Sequence, residues 1–144
     1  MITISTDHLH AIRAHGEQEF PDECCGVMLG SFSADGTKST TDLMPITNAR
    51  EEEARHNRFL ITPEDMFRAE KAARAKGLDV IGFYHSHPDH PARPSQFDLD
   101  HAWPVYSYVI VSVMKGASAD LTSWVLRADR SAFDAEEIEE RGGS

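Results

Sequence analysis

The stretch 80–88, Val-Ile-Gly-Phe-Tyr-His-Ser-His-Pro, limits more than any other what this chain can fold into. Its first five residues form an apolar, β-branched and aromatic run that reads as a buried strand. That strand leads directly into His85-Ser86-His87, and Pro88 ends it because proline has no N–H to give to a ladder. Side chains alternate along a strand, so His85 and His87 project from one face, close enough to share an ion. A His-x-His pair taken alone is an even choice between a ligand pair and two ordinary histidines. A proline-rich loop (Pro88, Pro91, Pro94) follows, free to fold back over that face.

The rest of the chain supplies a scaffold for such a strand. Residues 6–18 read as a first helix with Leu9, Ile12 and the stem of Arg13 on one side, stopped by Pro21. Residues 25–29 and 43–46 are apolar runs on either side of the turn Ser33-Ala-Asp-Gly36, and suit strands. A second helix is well marked. Thr62 can cap it, Pro63 fits its first position, Glu64 and Asp65 favour the positive end of its dipole, and Gly77 stops it. A short helix is expected from Ser95 and two strands at 106–113 and 121–126. Residues 134–140 are expected as a solvated acidic helix, within a loosely ordered acidic end at 134–144. The sum is a single mixed α/β domain, residues 1–144, with a central, largely antiparallel sheet.

Charge and composition exclude some functions. With 24 acids against 14 bases the net charge is −10, a field that repels a phosphate backbone, so nucleic acid is not an expected partner. The longest apolar runs, such as 109–113, are too short to span a bilayer, so no membrane role is expected. The first residues lack a basic stretch followed by an apolar one, which sets the cytoplasm as the expected compartment. At 144 residues about two-thirds of the unfolded surface can be hidden, enough for a core. The only cysteines, Cys24 and Cys25, are adjacent; they close no useful loop and make no Cys-x-x-Cys zinc site.

Beyond the two histidines, the candidates are Asp98, Ser95 and Glu23. Asp98, in the first turn of the helix after the loop, can add an oxygen ligand. Two imidazoles and one carboxylate leave a tetrahedral zinc one open position for water, the arrangement of a catalytic site. Ser95 and Asp98 fit a capping box equally well, with no metal at all, and the two readings compete for one carboxylate. Glu23, at the entrance of the strand at 25–29, is by itself more often solvated than functional. Beside a zinc site it becomes a candidate base, to take a proton from water and deliver it to a leaving amine. If that strand begins at Glu23, Cys25 shares its face and is a candidate fourth ligand; the plainer reading makes both cysteines small buried residues. His8 and His10 point about 200° apart on a helix and cannot share a site. His15 and His56 read as surface residues. His90 is a candidate substrate contact or simply exposed, and His101 either orients Asp98 or lies on the helix surface.

Glu23, His85-Ser86-His87-Pro88, Ser95 and Asp98, in this order and with ten residues between His87 and Asp98, resemble the JAMM, or MPN-plus, zinc metallopeptidases. The likeness runs on through Cys25-Gly26-Val-Met-Leu-Gly30, Ile46-Thr-Asn48, Gly82-Phe-Tyr84 and Tyr108-Val-Ile-Val111, over nearly the whole chain and at the length of the small prokaryotic members. The resemblance implies a curved sheet flanked by helices, with one Zn²⁺ at the surface held by His85, His87 and Asp98. It assigns Glu23 to the general base and Ser95 to stabilising the oxyanion. It further implies hydrolysis of an amide or isopeptide bond at the Gly-Gly tail of a ubiquitin-like protein. The chain is too short for the long insertions of the eukaryotic deubiquitinases, which points instead to ubiquitin-like sulfur-carrier proteins as partners.

A rival reading is a non-catalytic interaction domain of the same fold, which has no physical need of all five polar groups. A nucleobase deaminase would need His-x-Glu and Pro-Cys-x-x-Cys elements, and neither occurs. The His-Glu-x-x-His of other metalloproteases is also missing. A metal-storage domain would have no use for an open position beside a base.

Overall fold

A computed structural model describes residues 1–48 and 61–142. The elements in chain order are β1 (Ile2–Ser5), α1 (Thr6–Glu19), β2 (Cys25–Phe32), β3 (Lys38–Ile46), α2 (Pro63–Ala75), β4 (Asp79–Pro88), α3 (Gln96–His101), β5 (Ser107–Met114), β6 (Ala117–Leu126), β7 (Phe133–Glu136) and β8 (Ile138–Arg141). The strands form one sheet in the order β7-β6-β5-β4-β2-β3-β1-β8. The pairs β2–β3, β2–β4, β5–β6 and β6–β7 are antiparallel; β1–β3, β1–β8 and β4–β5 are parallel. Four of these seven pairings are antiparallel, so antiparallel pairs are the majority in a mixed sheet, as expected. The β4–β5 pair is parallel because the loop and α3 carry the chain back across the sheet between them, as a crossover must.

Only Glu137 separates β7 from β8, although these strands stand at opposite ends of the strand order. The sheet must therefore curl until its edges approach, and Ile2 N–H donates to the Glu137 carbonyl at 3.0 Å across the junction. This corrects the acidic helix expected at 134–140. Composition favoured a solvated helix with a loose end, but β6 and β1 each offer an edge, and pairing through Arg141 satisfies the backbone there. Burial of Glu136 fixes the segment further. Its Oε1 accepts from Ser107 Oγ at 2.6 Å and Ser123 Oγ at 2.8 Å, and its Oε2 from Lys38 Nζ at 3.4 Å. Strand β1 was not foreseen either; four residues carry too little pattern to announce a strand without its neighbours.

Both faces of the sheet bury apolar side chains. On one, Ile2, Ile4, Met28, Ile81, Tyr84, Val109 and Val111 pack with Leu9 and Ile12 of α1. Gly16 lets α1 approach closely, since a Cβ there would stand 3.0 Å from Val113 Cγ2. A mid-helix glycine costs about 0.5–1 kcal/mol relative to alanine, offset here by the closer packing. On the other face, Cys25, Val27, Leu29, Phe83 and Tyr108 meet Ala69 and Ala73 of α2. That helix begins as the sequence indicates, with Thr62 and Asp65 forming a reciprocal capping box and Pro63 in its first turn.

A β-bulge decides which face receives the histidines. In the β2–β4 ladder Met28 pairs with Gly82 and Leu29 with Val80, leaving Ile81 extra. Ile81 and Tyr84 therefore share the α1 face, three residues apart, and Phe83 lies on the α2 face with His85 and His87 following in alternation. His56 lies outside the described residues. No helix among the described residues is long and apolar enough to cross a membrane.

Candidate metal centre

His85 and His87 stand near the end of β4, paired in register with Ile110 and Ser112 of β5. Their Nε2 atoms face each other at 3.2 Å. Asp98 completes the group, with Oδ1 3.2 Å from His85 Nε2 and Oδ2 3.1 Å from His87 Nε2. The ligand atoms of these three residues lie within 4.8 Å of one another, and the residues are 1 %, 6 % and 9 % exposed. The donors are thus recessed rather than at the surface, as had been expected.

The loop after Pro88 brings Asp98 into place through a series of bonds to the neighbouring strands. Asp89 N–H donates to Val113 O at 2.7 Å, Ser112 Oγ to His90 O at 2.6 Å, and Thr122 Oγ1 to Ala92 O at 2.6 Å. The Pro91 carbonyl lies 3.0 Å from His87 Nδ1. A carbonyl can only accept, so Nδ1 carries the proton and the Nε2 lone pair is left to point at the cluster, the tautomer a metal requires. Nitrogen and carboxylate oxygen donors in a 2:1 ratio suit a divalent ion of intermediate softness, so the residues present fit zinc.

Asp98 caps α3 and faces the two imidazoles with the same carboxylate. Ser95 N–H donates to Asp98 Oδ2 at 2.8 Å and Ser95 Oγ accepts from Asp98 N–H at 3.1 Å, a complete capping box. The same carboxylate faces both imidazoles, because capping occupies only part of the four lone-pair directions of its two oxygens. The cap orients the carboxylate toward the histidines. Burial disfavours the charged form of Asp98, but the two histidines and the Ser95 amide outweigh it and hold the carboxyl well below the ordinary carboxylate range.

Glu23 is also buried, at 5 % exposure, just before β2 begins. Burial pushes its carboxyl up to about 8; His87 opposes the shift and Asp98 adds to it. A carboxyl so raised titrates near neutrality, where a group that takes and returns protons works best. Cys25 does not join the cluster. Its Sγ contacts the Ile46 carbonyl at 3.7 Å within the apolar core, and Cys24 lies in the core on the opposite face.

Among the other histidines His15 differs from expectation, while His90 and His101 take the exposed alternative. His15, read as a surface residue, is half-buried and its Nδ1 lies 2.8 Å from Tyr84 Oη. The Tyr84 ring lies over Gly26, where a Cβ would come within 2.2 Å of it. His101 does not orient Asp98; its Nδ1 bonds the Phe97 carbonyl at 2.8 Å and its ring stacks on Phe97. His90 and His10 are exposed and His8 is half-buried.

Sequence reasoning missed three contributors. Ser86 Oγ accepts the Cys24 amide at 2.8 Å, and Asn48 Nδ2 donates to the Glu23 carbonyl at 3.1 Å. For Ser86 a signal existed: the middle residue of His-x-His on a strand must face away from the pair. The third is an apolar trough of about 750 Å³ beside α3, lined by Phe83, Phe97, Trp103, Val105, Tyr106 and Tyr108 among others. Trp103 and Val105 are each 63 % exposed, and Val105 has φ of 86°, a strained conformation for a β-branched residue.

The family described as prokaryotic homologs of the JAB domain matches residues 5–127. The desampylase of Haloferax volcanii is 31 % identical over 116 residues, covering 77 % of this chain and 80 % of that protein. The CysO-cysteine peptidase of Mycobacterium tuberculosis is 28 % identical over 125 residues, 86 % of this chain and 82 % of that one. A solution structure of a Desulfitobacterium hafniense protein superposes with a TM-score of 0.85 at 30 % identity, covering 99 % of this chain and 94 % of the other. With His85, His87 and Asp98 converging at the end of one strand and a family match that runs from β1 through β6, the chain belongs to the prokaryotic JAB-domain family.

Proposed function

We propose that this protein is a zinc-dependent peptidase that cuts an amide bond at or after the C-terminal Gly-Gly of a ubiquitin-like, sulfur-carrier type of protein. The observation that carries the proposal is the convergence of His85, His87 and Asp98 within a domain that also buries Glu23. Relatives named as a desampylase and as a CysO-cysteine peptidase support the substrate class.

His85 and His87 through Nε2, and Asp98 through its carboxylate, would hold the zinc. Zinc held there would supply Lewis acidity, which can lower the pKa of water from 15.7 to about 7 and would polarise the scissile carbonyl. Glu23 accepts the proton of the attacking water and returns it to the departing amine, the two halves of general acid–base catalysis. Ser95 Oγ uses one lone pair as the helix cap, and its own O–H proton is still available for the oxyanion that forms at the carbonyl. The cap and the oxyanion donor are thus compatible roles of one hydroxyl. The trough beside α3 offers an apolar wall for an extended tail, and two glycines suit a narrow approach because they carry no side chains.

The test uses the zinc-loaded protein and ubiquitin-like carriers extended past Gly-Gly, with products read by mass. The parent should release the extension. Glu23→Gln should keep its zinc and lose at least about 10²-fold in turnover, the usual minimum for a lost general base. A Glu23→Gln protein that cleaves as fast as the parent would end this mechanism.

A further inference from the structure

The hydroxyl between the two histidines takes no part in the chemistry above, yet Ser86 is completely buried. Its side chain points away from the imidazoles, toward the start of β2. There Ser86 Oγ accepts the Cys24 N–H at 2.8 Å, and Ser86 N–H donates to the Cys24 carbonyl at 3.2 Å.

The need for these bonds lies in where the ladder stops. β2 begins at Cys25, whose partner in β4 is His85. Glu23 therefore stands two residues beyond the strand, where a chain end frays unless something ties it down. A buried carboxyl adds to that tendency, because moving toward water relieves its desolvation. Two side chains oppose the movement from different directions. The Ser86 hydroxyl holds the residue after Glu23 at its amide, beside the backbone bond from Ser86 N–H to its carbonyl. Asn48, itself buried, donates Nδ2–H to the Glu23 carbonyl at 3.1 Å. Behind Ser86, α1 presents Gly16, where a Cβ would stand 3.4 Å from Ser86 Cβ. The serine is thus backed closely by the helix.

The geometry points to Ser86 and Asn48 as positioning residues that fix where Glu23 stands relative to His85 and His87, without touching substrate. One three-residue unit, His85-Ser86-His87, then sets both the metal donors on one face and the location of the base through the other. The assignment rests on reading Glu23 as the base, and its test separates the two.

Ser86→Ala, Ser86→Thr, Asn48→Ala and Glu23→Gln are compared with the parent as zinc-loaded proteins on a ubiquitin-like carrier extended past Gly-Gly. Zinc content and the amide exchange rate of Cys24, measured without metal, are recorded alongside. For Ser86→Ala we expect full zinc content, KM within about two-fold, and kcat lower by roughly 10-fold, as suits a displacement of a fraction of an ångström. Cys24 exchange should quicken by roughly 5-fold, the equivalent of one lost neutral hydrogen bond. Ser86→Thr restores the hydroxyl and should recover both kcat and exchange, which packing alone would not do. Should Ser86→Ala fail to fold, Asn48→Ala carries the same kinetic test from the other side. Parental kcat in Ser86→Ala and Asn48→Ala, beside an inactive Glu23→Gln, would overturn the positioning role and leave the base intact. Loss of zinc from Ser86→Ala would also overturn it, placing Ser86 in support of the ligands instead. A fully active Glu23→Gln would remove the base, and this role with it.

Discussion

Lys38 with Glu136 on the inner side of the curled sheet, and His85, His87 and Asp98 with Glu23 on the other, are both buried groups of ionisable side chains. They balance differently. Lys38 and Glu136 side chains are 7 % and 6 % exposed, and each meets the other's charge. Burial alone would raise Glu136, but the Ser107 and Ser123 hydroxyls and the Lys38 ammonium hold it below its ordinary value. At the other site two imidazole nitrogens lie 3.2 Å apart on one side of a single carboxylate, and Glu23 is driven up to about 8. The first group satisfies itself and closes the sheet. The second brings lone pairs to one point and raises a buried carboxyl, features that suit the cation and the proton transfer proposed above.

The sharpest way to break this contrast is to remove a donor from the second group. His87→Ala should lose zinc from about one per chain to a small fraction, and with it all measurable hydrolysis, while the metal-free domain still melts cooperatively. Full zinc content in that variant would refute the ligand set. Unfolding on metal removal would make the site structural instead.

The self-satisfied group should respond in the opposite sense. Glu136→Gln leaves Lys38 buried without a counter-charge, and should cost about 3–5 kcal/mol in urea unfolding with zinc content and kcat unchanged. A cost under about 1 kcal/mol, typical of solvated surface pairs, would mean that this ion pair does not hold the sheet closed.

A smaller effect separates the sites by pH. The folded pKa of Glu23 lies near 8, above the ordinary 4.5. Its contribution to stability is thus full below the ordinary value and is lost as pH rises through about 8. Metal-free parent should become less stable than metal-free Glu23→Gln between pH 5 and pH 8, by roughly 2–4 kcal/mol. Urea midpoints that stay parallel across that range would remove the burial-driven shift. Glu136, shifted downward, gives the reverse dependence: its contribution is present above its ordinary pKa and fades as pH falls through its lowered folded value.

The smallest expected change in stability is in Ser95→Ala, which removes the cap of α3 and should cost about 1 kcal/mol. If the hydroxyl also faces the oxyanion, turnover falls along with stability. Turnover that stays at the parental value would leave Ser95 as a cap alone.

Local physics made much of this molecule legible in the sequence. The period of a strand puts His85 and His87 on one face whatever the rest of the fold does. The signals for α2, from Thr62 and Pro63 to Gly77, depend only on backbone groups within a turn or so. The capping box of Ser95 and Asp98 is local too, and so was legible as one of two competing readings, although its coexistence with two histidine contacts was not. What only the tertiary structure decided involves partners far apart in the chain. The segment 133–141 is strand because β6 and β1 have edges to pair, and Glu136 is buried because Lys38, Ser107 and Ser123 meet it from three other strands. His15 finds Tyr84 across 69 positions, and Cys24 finds Ser86 across 62. A hydrogen bond between distant residues leaves no period and no spacing behind it; the chain must first fold before either partner is specified.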